Sequence, residues 1–470
     1  MAKPASKKSA VNTSIVKFSA NKAPKKSSVS GCLSFLFAIA ILFSATGLIV
    51  GLGWLGFMYI FQPHQVTWIN QLLPNWAQVP WQGERPKSLT DINSELQKQG
   101  EIAGKFIPLA EDKGRYLLPI YTQRPNCSSD CREITELRLY EVSNDAEFES
   151  QQQKYYYLLS QTSITGPEES FVLAPLANAT NEHPGSSINL PLTEIDRFSP
   201  RSAPPGFWFY LHGSRADGIH HLTYGQIFFY NPERDRLQQM LVWTSPQGQI
   251  PQWQEITGGG MQELLINQSV GLEPQFRVFQ VKTAKSSVYP TSLEEILLQP
   301  PAWNDKAFTN ALQVARSGLW SPADKWLQFI QKQKKSKIPA RAQAQIALVR
   351  LHAEQTTIQA DADWASPGQA VLANLIDGRW GNALRILQNS GTNVSEISRL
   401  LKADGGRLGD RVRIALGINP KRSEVQIWGA LIIAAQTNEK RANAWLQSQP
   451  HVTEQTRKEV QIWLQRLRGG

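Results

Sequence analysis

Apolar residues follow three patterns along the chain. Residues 31–61 are apolar without interruption by Asp, Glu, Lys or Arg. From about residue 105 to 285, short runs rich in aromatic and β-branched residues are bounded by Gly, Pro, Asn or Asp, which is typical of strands and turns. Beyond Pro301 apolar positions recur at helical spacing. The predicted fold class is therefore multidomain: one transmembrane helix, a β-rich (α+β) middle domain over 105–300, and an all-α, solenoid-like domain of helical hairpins over 301–470.

The uninterrupted apolar segment is longer than the ~20 residues that cross a bilayer as a helix. An uncleaved transmembrane signal anchor over 31–61 is favoured over a cleaved signal peptide, whose apolar core is only ~7–15 residues long. Residues 1–30 contain seven lysines and no acidic residue, which places the N-terminus in the cytoplasm and residues 62–470 in a periplasm or lumen. Residues 1–30 are expected to be a disordered basic tail, and residues 62–104 a juxtamembrane, interfacial segment and linker.

Gly47 and Gly51 stand four residues apart within this apolar segment. Small residues at that spacing allow two membrane helices to approach closely, so a homodimer through this face is a hypothesis. Glycine is also common in membrane helices without any such role.

Seven runs in the middle of the chain have strand character. They cover residues 115–123, 134–142, 154–162, 170–177, 207–213, 224–230 and 236–244. The last two flank the turn Asn231–Asp235 and predict a hairpin. Residues 261–269 and 275–283 predict a further pair of strands.

Cys127 and Cys131 lie in the sequence PNCSSDC, within the loop between the first two of these runs. On the predicted non-cytoplasmic side the pair favours a disulfide. The alternatives are half of a metal site or two free thiols, and a zinc site would need two further ligands.

His212, His220 and His221 are the densest group among the seven histidines. Together with Asp217 they offer imidazole and carboxylate ligands for a metal. Their spacing is no established ligand motif, and the alternative is a loop with solvated histidines. The sequence contains no nucleophile-elbow motif around Ser214. The chain is therefore predicted to have no catalytic, cofactor or metal residues.

An internal repeat appears in the helical domain. GLWSPADKWLQ (318–328) and GRWGNALRILQ (378–388) share Gly, Trp, Ala, Leu and Gln at an offset of 60, and TNEKRANAWLQ (437–447) keeps the Ala, Leu and Gln. Each copy predicts two helices joined by a short turn. Ser321–Pro322 and Ser366–Pro367 predict helix starts. The G-x-W-x-x-A core resembles the junction of tetratricopeptide-type repeats, although the spacing departs from the 34 residues of that family, and the resemblance implies a stacked solenoid.

Charge separates the two large regions. Residues 62–300 carry 18 basic and 26 acidic side chains, whereas residues 301–470 carry 24 basic and 13 acidic ones, a net +11. The densest basic patch comprises Lys332, Lys334, Lys335, Lys337 and Arg341. This patch is interpreted either as a solvated loop face or as a site for an anionic partner other than nucleic acid.

The whole pattern resembles uncharacterised bacterial single-pass membrane proteins, with a Trp- and Gln-rich juxtamembrane stretch of cyanobacterial character. The predicted function is a membrane-anchored, non-enzymatic interaction or assembly scaffold. Its expected partners are membrane lipid and another envelope or membrane protein that binds the helical domain. The alternative is an envelope enzyme or a protein that binds polysaccharide or cell wall.

Overall fold

The computed structural model divides into two units, Met1–Glu84 and Arg85–Gly470. The structure describes residue 47 and residues 51–58, 86–109, 114–125, 131–143, 153–180, 185–199, 203–218, 220–232, 236–284, 291–334, 338–389 and 394–469.

The fold class is corrected in one respect. Within those ranges, no helix combines the length and the apolar character that crossing a membrane requires. Of the predicted anchor 31–61, residue 47 and residues 51–58 are described, and the tail 1–30 lies outside the described residues. The predicted transmembrane signal anchor, and with it the single-pass localisation, is therefore not supported.

The second unit begins with an antiparallel sheet of six strands in the order β1–β6–β5–β4–β2, with β3 also paired to β4. Ser88 is the N-cap of helix α1, Leu89–Lys98, and its side chain accepts a hydrogen bond from the Asp91 amide in a capping box. Ile92 and Leu96 of α1 pack on one face of this first sheet. The elements are β1 Lys87–Ser88, α1 Leu89–Lys98, β2 Glu101–Ala103, β3 Ile107–Pro108, β4 Arg115–Gln123, β5 Arg132–Val142 and β6 Tyr155–Ser163.

Two four-stranded antiparallel sheets follow. The second sheet has the order β10–β9–β8–β7, and the third has the order β11–β12–β13–β14. Their elements, with the helix α2 that precedes them, are α2 Glu169–Thr180, β7 Glu194–Arg197, β8 Phe207–Asp217, β9 His220–Asn231, β10 Arg236–Ser245, β11 Gln252–Gln254, β12 Glu263–Asn267, β13 Phe276–Thr283 and β14 Thr291–Glu295.

The second sheet is buried on both faces. Phe209 packs into a core shared with the first sheet, while its neighbour Trp208 packs into a core shared with the third sheet. On β9, Phe228 packs into the core shared with the first sheet, and Phe229 packs into the core shared with the third sheet. Because successive side chains of a strand point to opposite faces, each strand supplies two cores at once. This explains the uninterrupted aromatic runs, since a strand with one solvated face would alternate with polar residues.

Residues 170–177 form part of helix α2, so the prediction of a strand there is wrong. Val172, Leu173 and Leu176 lie in the core between the first and second sheets. Their spacing makes one helical stripe, but a short apolar run is ambiguous between helix and strand until its packing is known.

Helices account for the described secondary structure beyond residue 301, in agreement with the predicted helical character. They are α3 Lys306–Arg316, α4 Trp320–Gln333, α5 Ala340–Asp361, α6 Pro367–Ile376, α7 Trp380–Asn389, α8 Val394–Ala403, α9 Arg407–Ile418, α10 Ser423–Gln436, α11 Glu439–Ser448 and α12 Glu454–Gly469. Helix α5 packs Ala344 and Leu348 against Val278 and Ile296 of the third-sheet region. Helix α5 therefore forms a further layer, packed on the third sheet.

The repeated sequence motif marks the junctions of three hairpins, α3–α4, α6–α7 and α10–α11. Gly318 and Gly378 both adopt positive φ, +85° and +77°, just after the first helix of their hairpins. This conformation strains residues that have a Cβ atom. The third copy has Thr437 there, and its φ is −130°. The loss of the glycine therefore coincides with a different turn, as the weakened motif indicates.

The two predicted Ser–Pro helix starts differ in outcome. Ser366 caps α6 by accepting a hydrogen bond from the Gln369 amide, and Pro367 is the first helical residue. Helix α4 instead begins at Trp320. The Ser321 hydroxyl donates to the buried Asp377 carboxylate of the next hairpin. Ser321 has the sequence features of a capping residue, but its hydroxyl binds a residue of another hairpin instead of capping α4.

We predict that Gly318→Ala lowers the stability of the second unit, whereas Gly381→Ala does not. A Cβ at Gly318 would lie 2.4 Å from the Arg411 guanidinium, and the backbone there is left-handed, which alone costs ~1–2 kcal/mol. A Cβ at Gly381 meets nothing within 4 Å, and alanine is the better helix former by ~1 kcal/mol. Urea unfolding followed by circular dichroism measures both; equal losses would contradict the role assigned to Gly318.

Candidate functional site

A cleft runs between the sheets and the helical hairpins. Helix α2, the β12–β13 loop, the residues that follow β14, helix α5 and the first turns of α4 and α9 contribute to its walls. It consists of two cavities of about 450 and 300 Å³. They share four lining residues, namely Pro175, Pro274, Gln275 and Trp320.

A buried ion pair joins the two sides of the cleft. Arg411 on α9 is 1% exposed, and its Nη1 and Nη2 donate to the two carboxylate oxygens of Glu273 at 2.7 and 2.6 Å. Arg411 Nε also donates to the Gly318 carbonyl at 3.3 Å. Burial alone would raise the pKa of Glu273, but the charge and hydrogen bonds of the guanidinium hold that pKa below its ordinary value. The pair is bidentate, so it fixes orientation as well as distance.

His352 makes a second connection between α5 and the third sheet. Its Nε2 accepts a hydrogen bond from the Phe276 amide at 3.0 Å, and its Nδ1 donates to the Leu348 carbonyl at 2.9 Å. The ring stacks on Trp320 with centroids 4.0 Å apart. Burial lowers the pKa of His352 to about 4. The imidazole is therefore neutral near pH 7, and both ring nitrogens are engaged.

The lining side chains of the cleft favour binding over proton transfer. Glu295 is held by two hydrogen bonds from Arg277, at 2.8 and 2.6 Å, much as Glu273 is held by Arg411. A third lining carboxylate, Asp410, forms an ion pair with Arg413 at 3.0 Å. General acid–base catalysis needs a group that can reach a substrate proton. Among the described lining residues, the Glu273 and Glu295 carboxylates and His352 are held by partners inside the protein, whereas Asp410 and Arg413 are both exposed.

One end of the cleft is positively charged. Arg316 at the C-terminus of α3 is exposed, and Arg407 opens α9 beside it in the smaller cavity. Behind this end, burial raises the pKa of Asp404, and the nearby Glu273 carboxylate adds to the effect. The Asp404 side chain accepts hydrogen bonds from the amides of Gly406 and Leu408. The Asp404 side chain thus holds the turn that positions Arg407.

A second candidate group of side chains lies at the edge of the second sheet. His212 Nε2 is 3.2 Å from Asp196 Oδ2 and 3.5 Å from Glu194 Oε2. These three residues can place one ligand atom each within 4.8 Å of one another. The sequence pattern instead predicts that His212 lies with His220, His221 and Asp217. Asp217 pairs with His220 at the far end of β8, five residues or about 17 Å from His212 at ~3.4 Å per residue.

Cys131 is disulfide-bonded. Cys127 lies outside the described residues, so the predicted Cys127–Cys131 pairing stays a prediction. A Cβ added at Gly47 or Gly51 would meet nothing within 4 Å, and the hypothesis of a dimer through these glycines likewise stays a prediction.

The predicted basic patch is partly neutralised. Lys334 lies 2.8 Å from Asp305, and Arg341 lies 3.0 Å from Glu294. Lys332 is exposed on the last turn of α4. Lys335 and Lys337 lie outside the described residues. The structure thus leaves Lys332 as the described member of the patch that has no ion pair with another described residue.

Sequence reasoning missed Arg411, Glu273, Glu194 and Asp196. The Glu-Ile-Asp run of β7 carried a usable signal, since residues two apart on a strand share a face. No comparable local signal marks Glu273 and Arg411, which are 138 residues apart. Comparison with protein-family models, curated proteins and solved structures found no match to this chain. The function is therefore inferred from the geometry of the cleft and of the Glu194, Asp196 and His212 group.

We predict that His352 makes the second unit less stable as the pH falls from 6.5 towards 4. The folded-state pKa is about 4 and the ordinary value is 6.5, so the unfolded chain binds a proton in this interval while the folded chain does not. The loss amounts to about 3 kcal/mol, at ~1.4 kcal/mol per pH unit.

Urea unfolding across this pH range, compared with His352→Gln, measures the effect. The variant is expected to be less stable at pH 7 and to show a smaller loss on acidification. His221→Gln, a change at an exposed histidine, serves as the control and should keep the wild-type slope. Parallel pH profiles for wild type and His352→Gln would contradict the assignment.

Proposed function

We propose that this chain is a non-enzymatic interaction scaffold whose cleft between sheets and hairpins binds an acidic segment of a partner protein. The observation that carries the proposal is the composition of the cleft: apolar walls, arginines at one end, and carboxylates that are already paired. The proposal retains the scaffold predicted from the sequence and makes no use of a membrane anchor.

The size and lining of the cleft suit an extended peptide segment. Ligand sites commonly measure ~300–1,000 Å³ and combine apolar walls with few polar groups. Phe171 and Trp320, which are both partly exposed, provide aromatic surface. The amide side chain of Gln275 is exposed at the boundary of the two cavities. It can both donate to and accept from a peptide backbone.

Charge favours an acidic partner. The region 301–470 has 24 basic and 13 acidic residues. Seven of those carboxylates form ion pairs with cations of the same region. Exposed cations that have no ion pair among the described residues include Lys325, Lys332, Lys402 and Lys440. This excess attracts and steers an acidic surface towards the arginine end of the cleft.

Rigidity supports the same interpretation. The Glu273–Arg411 pair and the two hydrogen bonds of His352 hold the walls from both sides. A wall that is already ordered loses little conformational entropy when a segment binds, so more of the contact energy appears as affinity.

We predict that a short fluorescein-labelled peptide of alternating Glu and Leu binds the full chain, and that Arg316→Glu weakens binding roughly tenfold, or ~1.4 kcal/mol. The reversal places a carboxylate where the acidic peptide enters the cleft. Fluorescence anisotropy measures the affinity, which should fall further as salt screens the charges. Arg316→Gln, which avoids an acidic residue at the C-terminus of α3, should give an intermediate loss.

Lys440→Glu is the matched control, because Lys440 is exposed on α11 and does not line either cavity. It should leave the affinity near that of wild type. Absence of binding, equal effects of Arg316→Glu and Lys440→Glu, or equal affinity for a peptide with Lys in place of Glu would contradict the proposed function.

A further inference from the structure

The edge strand of the second sheet brings two carboxylates and an imidazole together. Glu194 and Asp196 are two residues apart on β7 and therefore project from the same face. Glu194 is the direct cross-strand partner of His212 on β8, and Asp196 is the partner of Tyr210. The register of one antiparallel ladder thus places all three side chains side by side.

The imidazole is held in place from the protein side. The His212 side chain is 14% exposed, whereas the Glu194 and Asp196 side chains are 67% and 55% exposed. The Tyr210 ring lies 5.6 Å from the His212 ring, and the Thr193 amide donates to the His212 carbonyl at 2.9 Å. One ligand is therefore fixed by packing, while the two carboxylates can adjust from the solvent side.

An ordinary hydrogen bond accounts for only part of this arrangement. A single Nε2–H donates one well-aligned bond, and such bonds measure ~2.7–3.2 Å. The 3.2 Å contact with Asp196 lies at that limit, and the 3.5 Å contact with Glu194 lies beyond it. Within the described ranges, His212 is the sole basic side chain within 4.0 Å of either carboxylate. Among the described residues, no lysine or arginine ion pair therefore compensates the repulsion between the two carboxylates.

The distances match those between ligands of one metal ion. Two ligand atoms that lie ~2.0–2.1 Å from zinc at the tetrahedral angle are ~3.3–3.4 Å apart. The two observed separations, 3.2 and 3.5 Å, fall on either side of this value. The remaining pair of atoms lies within 4.8 Å, and rotation of the exposed carboxylates can shorten that separation.

We propose that Glu194, Asp196 and His212 form a binding site for a first-row divalent transition metal of the zinc type. One imidazole and two carboxylates suit zinc and its neighbours, whereas calcium and magnesium prefer oxygen ligands alone. The exposed carboxylates leave a fourth position open to water, as in zinc sites with three protein ligands. Bound metal joins edge strand β7 to β8. The site is independent of the cleft and of the function proposed for it.

Isothermal titration of the chelator-treated full chain with zinc chloride tests the proposal. Wild type is expected to bind zinc at this site. Asp196→Asn keeps the shape of an exposed side chain but removes its charge, and it should weaken binding by at least the ~10–100-fold that loss of even an outer-sphere partner causes. His212→Ala should remove binding at this site. His221→Ala, a matched change at an exposed histidine of β9, should have no effect.

Two further readouts guard against folding defects and against zinc bound elsewhere. Zinc should raise the melting temperature of wild type and His221→Ala but not that of Asp196→Asn. Cobalt should give a four-coordinate ligand-field spectrum that the Asp196→Asn change abolishes. Absence of saturable zinc binding to wild type, or binding that survives both Asp196→Asn and His212→Ala, overturns the proposal.

Discussion

Burial of both faces of the second sheet is the constraint on which the rest of the second unit depends. Adjacent residues such as Trp208 and Phe209 serve different cores, so a slip of one residue in register would exchange the contents of both cores. The third sheet obeys the same rule, since Leu264 faces the second sheet and Leu265 packs towards α5. Helix α1, three sheets and α5 are therefore successive layers, each positioned by the one before it.

The contact between layers and hairpins is of a different kind. It depends on a buried ion pair, for which desolvation offsets much of the attraction between Glu273 and Arg411. Such a pair contributes less to net stability than to orientation, because removing either partner leaves an uncompensated buried charge, at a cost of ~3–5 kcal/mol. Gly318 belongs to the same arrangement, since its missing side chain leaves the space that Arg411 occupies. Gly318 therefore has two roles: its left-handed backbone forms the turn of the repeat, and its lack of a side chain makes room for the ion pair beside the cleft.

The two candidate sites differ in how far sequence could predict them. Two ligands of the proposed metal site lie on one short strand, and the sequence indicates the third, His212, as a candidate ligand. The density of histidines in the β8–β9 hairpin, however, predicts the wrong neighbours for His212. The cross-strand register between β7 and β8 makes Glu194 the neighbour of His212, and this register depends on the packing of whole sheets. Local reasoning could not predict the cleft, because its walls combine residues of the sheet region, such as Phe171 and Gln275, with residues of the helical region, such as Trp320 and Arg407.

Sequence alone determined the properties that depend on neighbouring residues. These are the strand character of residues 115–123, the hairpin of β9 and β10, the helical period beyond Pro301 and the repeated glycine that ends a helix. Tertiary structure decided the helical state of α2, the use of Ser321 between hairpins and the meeting of Glu273 with Arg411. The physical reason is range: backbone propensity and periodicity act over a few residues, whereas burial, register and ion pairing require segments that only the folded chain brings together.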